Sequence, residues 1–187
     1  MNHNRVGFIG VGVMGEPMCR NIAQHSGATV TAFDLNDEPL TRLASVGVIR
    51  AESIADVVQS ASIIFLSLPG GPELERVCRG DDGLLANTAT GQTIVDTSTA
   101  PVKLTRALAA QFQDTGVDYA DTPIARTRQA AEAGTLSIMV GASDEVYTRI
   151  EPFLRCCASD ITHCGTVGCG QVSKLMNNMV LFQNVVA

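Results

Sequence analysis

Short apolar runs rich in Val, Ile and Phe alternate along this chain with longer stretches of helical period. "RVGFI" precedes Gly15 to His25, "TVTAFD" precedes Glu38 to Ser45, "SIIFLSL" precedes Pro72 to Cys78, and "TIVD" precedes Pro101 to Gln113. Such alternation predicts a parallel sheet wrapped by helices, and the near-continuous apolar runs predict strands covered on both faces. "GVDYADTPI" and "TLSIMVGA" extend the predicted sheet, Asp144 to Leu154 reads as a further helix, and "DITHC" reads as a last short strand. The expected fold class is α/β, a doubly wound and mostly parallel sheet.

From Gly170 onward the pattern is helical to the last residue, which predicts a helix of about 27 Å. Lys174, Asn178, Leu181 and Val185 share one face at helical spacing, with Val172, Met176, Met179 and Val186 nearly opposite. A helix apolar nearly all round calls for burial on most sides. One sheet domain cannot cover all of it, so the expectation is a cover from further structure or from a neighbouring copy.

Composition narrows the function classes. Of 187 residues, 45 % are hydrophobic and 17 % charged, a balance that supports a packed core rather than disorder. With 13 basic and 19 acidic residues the net charge is −6, which argues against nucleic acid as a partner. No uncharged apolar run reaches membrane-spanning length, and the Gly-rich start lacks a cleavage site, so a cytoplasmic protein is expected. The cysteines, Cys19, Cys78, Cys156, Cys157, Cys164 and Cys169, form no paired CxxC spacing. They read as free, mostly buried thiols. His3, His25 and His163 have no ligand-like spacing, and no metal is predicted.

The chemistry begins at "GFIGVGVMG", where Gly10, Gly12 and Gly15 stand as GxGxxG between a predicted strand and a predicted helix. Glycines there permit a tight turn and let a pyrophosphate approach backbone N–H groups at the helix start. Asp34 closes the next strand, where a carboxylate accepts hydrogen bonds from an adenosine ribose and repels a 2′-phosphate. Leu35 follows with no adjacent arginine, so NAD is expected over NADP.

"GFIGVGVMGEPM", "DTSTA" and "GCGQVSKLMNN" together resemble the signatures of the β-hydroxyacid dehydrogenases, the family of 3-hydroxyisobutyrate dehydrogenase and tartronate semialdehyde reductase. The resemblance implies a Rossmann-type NAD-binding domain over residues 1–165. Residues 166–187 would then be the start of a long interdomain helix, with an all-helical second domain that this chain lacks. It further implies that Val13 and Met14 lie beside the cofactor in the glycine loop, and that Leu68 and Pro69 pass along it. Ser98 and Thr99 would sit near its nicotinamide ribose. Taken alone, Leu68-Pro69 also reads as a strand terminator and Ser98-Thr99 as a helix N-cap.

Within the same resemblance, Lys174 is the candidate general acid/base and Asn178, one turn on, orients the amine or the substrate. Away from that context a helical lysine is a solvated charge. The substrate loop departs from the family's Asp-Ala-Pro-Val-Ser-Gly-Gly: here "DTPIARTRQ" puts Ala125 for the serine and Arg126-Thr127 for the glycines. This resembles the loop of sulfolactaldehyde reductases, and it implies that Ala125, Arg126 and Thr127 meet the acid end of a small acidic substrate. The competing reading makes Arg126 and Arg128 surface charges.

The expected activity is NAD-dependent interconversion of a small β-hydroxy acid and its aldehyde or keto form, in a homo-oligomer joined through the exposed C-terminal helix. Two alternatives stand beside it: a dinucleotide-binding module without turnover, and a reductase of a sulfonated or phosphonated short aldehyde. The 6-phosphogluconate dehydrogenases are a more distant relation.

Overall fold

The computed structural model describes residues 4–186, without the side chains of residues 184–186. The expectations that concern His3 and the side chains of Val185 and Val186 therefore lie outside the described residues. Strands run β1 Arg5–Ile9, β2 Thr29–Phe33, β3 Ile49–Arg50, β4 Ile63–Leu66, β5 Thr93–Asp96, β6 Asp118–Asp121, β7 Ile124–Ala125, β8 Leu136–Gly141 and β9 Ala158–Gly165. Helices run α1 Gly15–His25, α2 Asp37–Ala44, α3 Ile54–Ser60, α4 Gly71–Arg79, α5 Leu84–Asn87, α6 Val102–Asp114, α7 Arg128–Glu132, α8 Asp144–Leu154 and α9 Cys169–Val186.

The apolar runs become strands because both faces of the sheet are covered. Ile63 and Phe65 of β4 pack on one side with Phe8, Ile22, Leu43 and Ile150. Ile64 and Leu66 of the same strand pack on the other with Val57, Leu74, Leu108 and Phe112. Each such side chain, fully buried, contributes about 1.5–3 kcal/mol before chain entropy is counted. The strand order is β3-β2-β1-β4-β5-β6-β8-β7, with β9 beside β8. The strands from β3 to β6 are parallel neighbours, whereas β8 joins β6 antiparallel at Asp121 and Gly141. After β1 the chain moves outward through β2 and β3, then returns to lay β4 on β1's other side. That reversal opens a crevice at the carboxyl ends of β1 and β4.

Several elements differ from the sequence expectation. "GVDYADTPI" is two strands, because Pro123 has no N–H to donate and the chain turns there to pair β7 with β8. The last strand is longer than "DITHC", since pairing with β8 carries it to Gly165. The short elements β3, α3, α5 and α7 were not anticipated; each is two to seven residues, too brief for a periodic pattern. Only Cys19, Cys78 and Cys157 are buried; the other three cysteines are partly exposed, so half of the thiols rather than most are core. Burial pushes the pKa of all three core thiols up, which leaves them inert.

No helix among the described residues is long and apolar enough to cross a membrane. On α9, Leu175, Met176, Met179, Val180, Leu181 and Phe182 are exposed. Its first turn packs on β8 and β6, and the rest of the helix projects from the sheet.

Candidate functional site

The glycine turn has three glycines with three separate steric reasons. Gly10 takes φ +88°, where an L side chain is strained. A Cβ on Gly15 would strike the Gly10 carbonyl, so the helix start lies directly against the end of β1. A Cβ on Gly12 would meet nothing within 4 Å and would project into open space. That empty approach is the cradle a phosphate needs. Among the described residues, the N–H groups of Gly12, Val13 and Met14 meet no protein acceptor, and α1 has no side-chain cap. Unpartnered N–H groups at a helix start favour an anion. Glu16 in the same first turn would oppose one, but Arg42 grips both of its carboxylate oxygens at 2.8 and 2.9 Å and Arg20 adds a third contact at 2.9 Å. The Arg42 hydrogen bond holds the Glu16 carboxyl below its usual pKa.

An aspartate closes or directly follows each of three strands, and each carboxylate holds backbone N–H groups of a segment beyond its own strand. Asp34, directly after β2, accepts from Val11 N–H at 2.7 Å and Asn36 N–H at 2.8 Å, which ties the glycine turn to the neighbouring strand. Asp96, the last residue of β5, is fully buried. It accepts from Ser98 N–H at 3.0 Å and from the Tyr119 hydroxyl at 2.8 Å. Burial raises its pKa to about 6, against the hydrogen bonds from Ser98 and Tyr119. Asp121, paired with Asp96 across β5 and β6, accepts from Gly168 N–H at 2.7 Å and Gln171 N–H at 2.8 Å. Burial raises its pKa as well, and those two backbone bonds oppose the shift.

Around the crevice the glycine turn, Asp34 and the loops after β4 and β5 border one cleft of about 910 Å³. Gly10, Gly12, Val13, Met14, Gly15, Asp34, Leu68, Pro69, Ser98 and Thr99, all singled out from sequence, lie along its walls. Ile124, at the base of the variant loop, joins them. The cleft is within the size range of ligand pockets, and it sits at the strand ends where an open parallel sheet binds nucleotides.

Lys174 and Asn178 do not line that cleft; they follow it on α9, both half-buried. Among the described residues Lys174 has no hydrogen-bond or ion-pair partner, and burial lowers its pKa from the ordinary lysine value. An amine so placed is readier to exchange a proton than a solvated lysine.

The variant loop holds its arginine against the protein. Arg126 takes φ +86°, the backbone region that favours glycine. Its guanidinium pairs with Asp160 and donates to the Ser159 hydroxyl at 2.9 Å and the Thr135 carbonyl at 2.5 Å. The arginine's partners are thus Ser159 and Asp160 of β9 and Thr135 just ahead of β8, in an exposed ion pair that a substrate acid would have to replace. Arg128 likewise pairs with Glu132, one turn along α7. Ala125 is paired into β7, and Thr127 is exposed just ahead of α7.

Asp96, Asp121 and Gln171 are the residues that sequence reasoning passed over. A signal was present: carboxylates closing the apolar runs "TIVD" and "DYAD", in the same place as Asp34. No group of three or more His, Cys, Asp or Glu that could hold a metal ion occurs among the described residues.

Comparison with known proteins bears on this geometry. Residues 5–165 match the family model described as the NAD binding domain of 6-phosphogluconate dehydrogenase. The chain is 39 % identical over 181 residues to 2-(hydroxymethyl)glutarate dehydrogenase of Eubacterium barkeri, covering 97 % of this chain and 60 % of that protein. It is 35 % identical to 2-hydroxy-3-oxopropionate reductase of Escherichia coli, covering 98 % and 62 %. The solved structure of Mycobacterium tuberculosis 3-hydroxyisobutyrate dehydrogenase with L-serine superposes with a TM-score of 0.87 at 34 % identity, covering 95 % of this chain and 60 % of that one. The chain thus spans about three-fifths of the length of the curated relatives it matches.

Proposed function

Because the chain belongs to the family of the 6-phosphogluconate dehydrogenase NAD binding domain, with β-hydroxyacid dehydrogenases among its relatives, we propose that it is the nucleotide-binding part of an NAD-dependent hydroxyacid dehydrogenase. The observation that carries this reading is the cleft. A cradle of free N–H groups, a ribose-facing carboxylate and the two loops after β4 and β5 meet along one wall line. In this reading Gly10 to Gly15 hold the pyrophosphate, Asp34 the adenosine ribose, and Leu68, Pro69, Ser98 and Thr99 the nicotinamide half. When bound there, NAD supplies hydride exchange at its nicotinamide carbon.

The chain's own part is proton handling and orientation. As a hydroxy acid is oxidised, its hydroxyl proton passes to a neutral Lys174 Nζ; in reduction the ammonium returns that proton to the carbonyl oxygen as charge develops on it. The lowered pKa of Lys174 supports the role, since both protonation states must be reached. Asn178 lies one turn beyond on the same face and orients the amine or the substrate. Ala125 and Thr127 stay in the proposal as the border of the acid end. Arg126 stays beside them, exchanging its exposed Asp160 partner for the substrate acid.

The division into a nucleotide-binding domain, 1–165, and a lysine-bearing helix, 166–187, is part of this reading, with the end of β9 at Gly165 in its favour. So are self-association through the exposed apolar face of α9 and a cytoplasmic setting. Titration of the chain with NADH and NADPH, followed by ligand fluorescence, tests the reading. Saturable NADH binding, tighter than NADPH by about tenfold or more, is expected from the Asp34 carboxylate. Absence of NADH binding, or equal affinity for both, overturns it.

A further inference from the structure

The first turn of α9 is joined to the cofactor cleft by a continuous set of hydrogen bonds. Gln171 is completely buried. Its Nε2 donates to the Ser98 carbonyl at 2.8 Å and its Oε1 accepts from Ala100 N–H at 3.3 Å, so one amide side chain closes on both sides of Thr99. The Ser98 hydroxyl in turn accepts from Leu68 N–H at 3.0 Å, which links the loop after β5 to the loop after β4. Below Gln171, the Asp121 carboxylate takes the N–H groups of Gly168 and Gln171 and so caps the helix from the end of β6. The fit is tight: a Cβ on Gly170 would press on the Met139 and Asp121 carbonyls. A helix held by two strand ends, with no space to slide, has a fixed axis.

Lys174 lies three residues past Gln171, on the adjoining part of the same helix face. Beyond the first turn nothing comparable holds α9 among the described residues, and its described apolar side chains are exposed. The position of Lys174 therefore depends on the anchors at its base. We infer that Asp121 and Gln171 are positioning residues that tie the Lys174 helix to the loops bordering the cofactor cleft, so that occupation of the cleft is felt at Lys174. This rests on the proposed cofactor site. It goes beyond it by giving a buried amide and a buried carboxylate, neither of which lines the cleft, the task of registering the lysine against it. The reason such a task exists is geometric: misplacing a reacting group by about 1 Å costs about 100-fold in rate.

The test uses the chain as it stands and does not need turnover. Amine acylation at limiting reagent, read by mass spectrometry, gives the ratio of labelling at Lys174 to that at Lys103. Lys103 is exposed on α6 and serves as internal standard. Saturating NADH is expected to change that ratio in the unmodified chain by about threefold, the equivalent of half a pKa unit. Gln171→Leu removes both loop bonds at similar volume. It is expected to bind NADH within about twofold of the unmodified chain, to shift the ratio without ligand, and to lose the NADH response. A purely structural glutamine would alter melting alone, leaving ratio and response in place. If Gln171→Leu keeps the ratio of the unmodified chain without ligand, or an NADH response of the same size, the inference is overturned. If the unmodified chain binds NADH but its Lys174 labelling does not change, it is overturned too. Failure of the unmodified chain to bind NADH sinks the cofactor reading instead, and the ratio without ligand then decides the positioning role. Gln171→Met, even closer in volume, takes the place of Gln171→Leu if the latter loses its folded circular dichroism.

Discussion

Asp34, Asp96 and Asp121 close neighbouring parts of one sheet, yet their surroundings make them three different groups. Asp34 is partly exposed and lines the cleft, so its charge is available to a ligand. Asp34→Ala is expected to weaken NADH and to leave NADPH unchanged or tighter, shrinking the preference to about threefold or less; a variant that keeps the full preference moves discrimination elsewhere. Asp96 is sealed, and its pKa of about 6 lies above the ordinary 3.8. The folded state thus holds a proton that the unfolded state has released between those values. The stability linked to that proton is fully present below pH 3.8 and is lost as pH rises through about 6. Asp96→Asn should therefore gain on the unmodified chain by about 3 kcal/mol between acid and neutral pH, measured by urea unfolding across a pH series. A difference that stays flat with pH refutes the assignment. Arg126 shows the opposite balance, an exposed ion pair worth about 0–1 kcal/mol on a backbone that costs about 1–2 kcal/mol for an L residue. Arg126→Gly should leave the melting temperature unchanged or raise it, and a clear drop would give the Asp160 pair more weight than its exposure warrants.

At the scale of elements, the turn between β1 and α1 separates folding from binding within one motif. Gly15→Ala places a methyl against the Gly10 carbonyl and is expected to destabilise the chain by about 1–3 kcal/mol. Gly12→Ala adds the same methyl where nothing stands within 4 Å, so melting should hold while NADH affinity falls severalfold. Equal loss of stability in both variants would mean that the open side of the turn is no cradle. These glycines were legible in the sequence because their spacing repeats a steric rule. Gln171 was not. Its importance comes from a carbonyl and an N–H more than seventy residues away, a closure that no local period encodes. The ion pair of Arg126 was hidden for the same reason: its partners lie on β9 and just ahead of β8, beyond any loop pattern.

For the whole molecule, the helix α9 decides what the isolated chain does. Its exposed Met179 and Phe182 predict association that rises with concentration, visible by light scattering, and Phe182→Glu should return the chain to monomer. A monomeric unmodified chain at high concentration would remove this element from the proposal. The chain is also expected to bind NADH while turning over hydroxy acids slowly or not at all, because it spans about three-fifths of its relatives and Lys174 stands half open. Robust turnover by the chain alone would contradict that. Hydrophobic period and glycine spacing alone determined the alternation of strands and helices, the covered sheet, the nucleotide turn and the place of Asp34, while the resemblance singled out the lysine on the last helix. These depend on neighbours within a few residues and on a repeat that burial imposes. Tertiary structure alone decided that the strand after β6 breaks and reverses into β8, that Arg126 faces β9, and that Asp121 and Gln171 bind the lysine helix to the cleft. Each of those depends on which distant backbone groups are left needing a partner once the sheet has closed, a condition set by the packed chain as a whole.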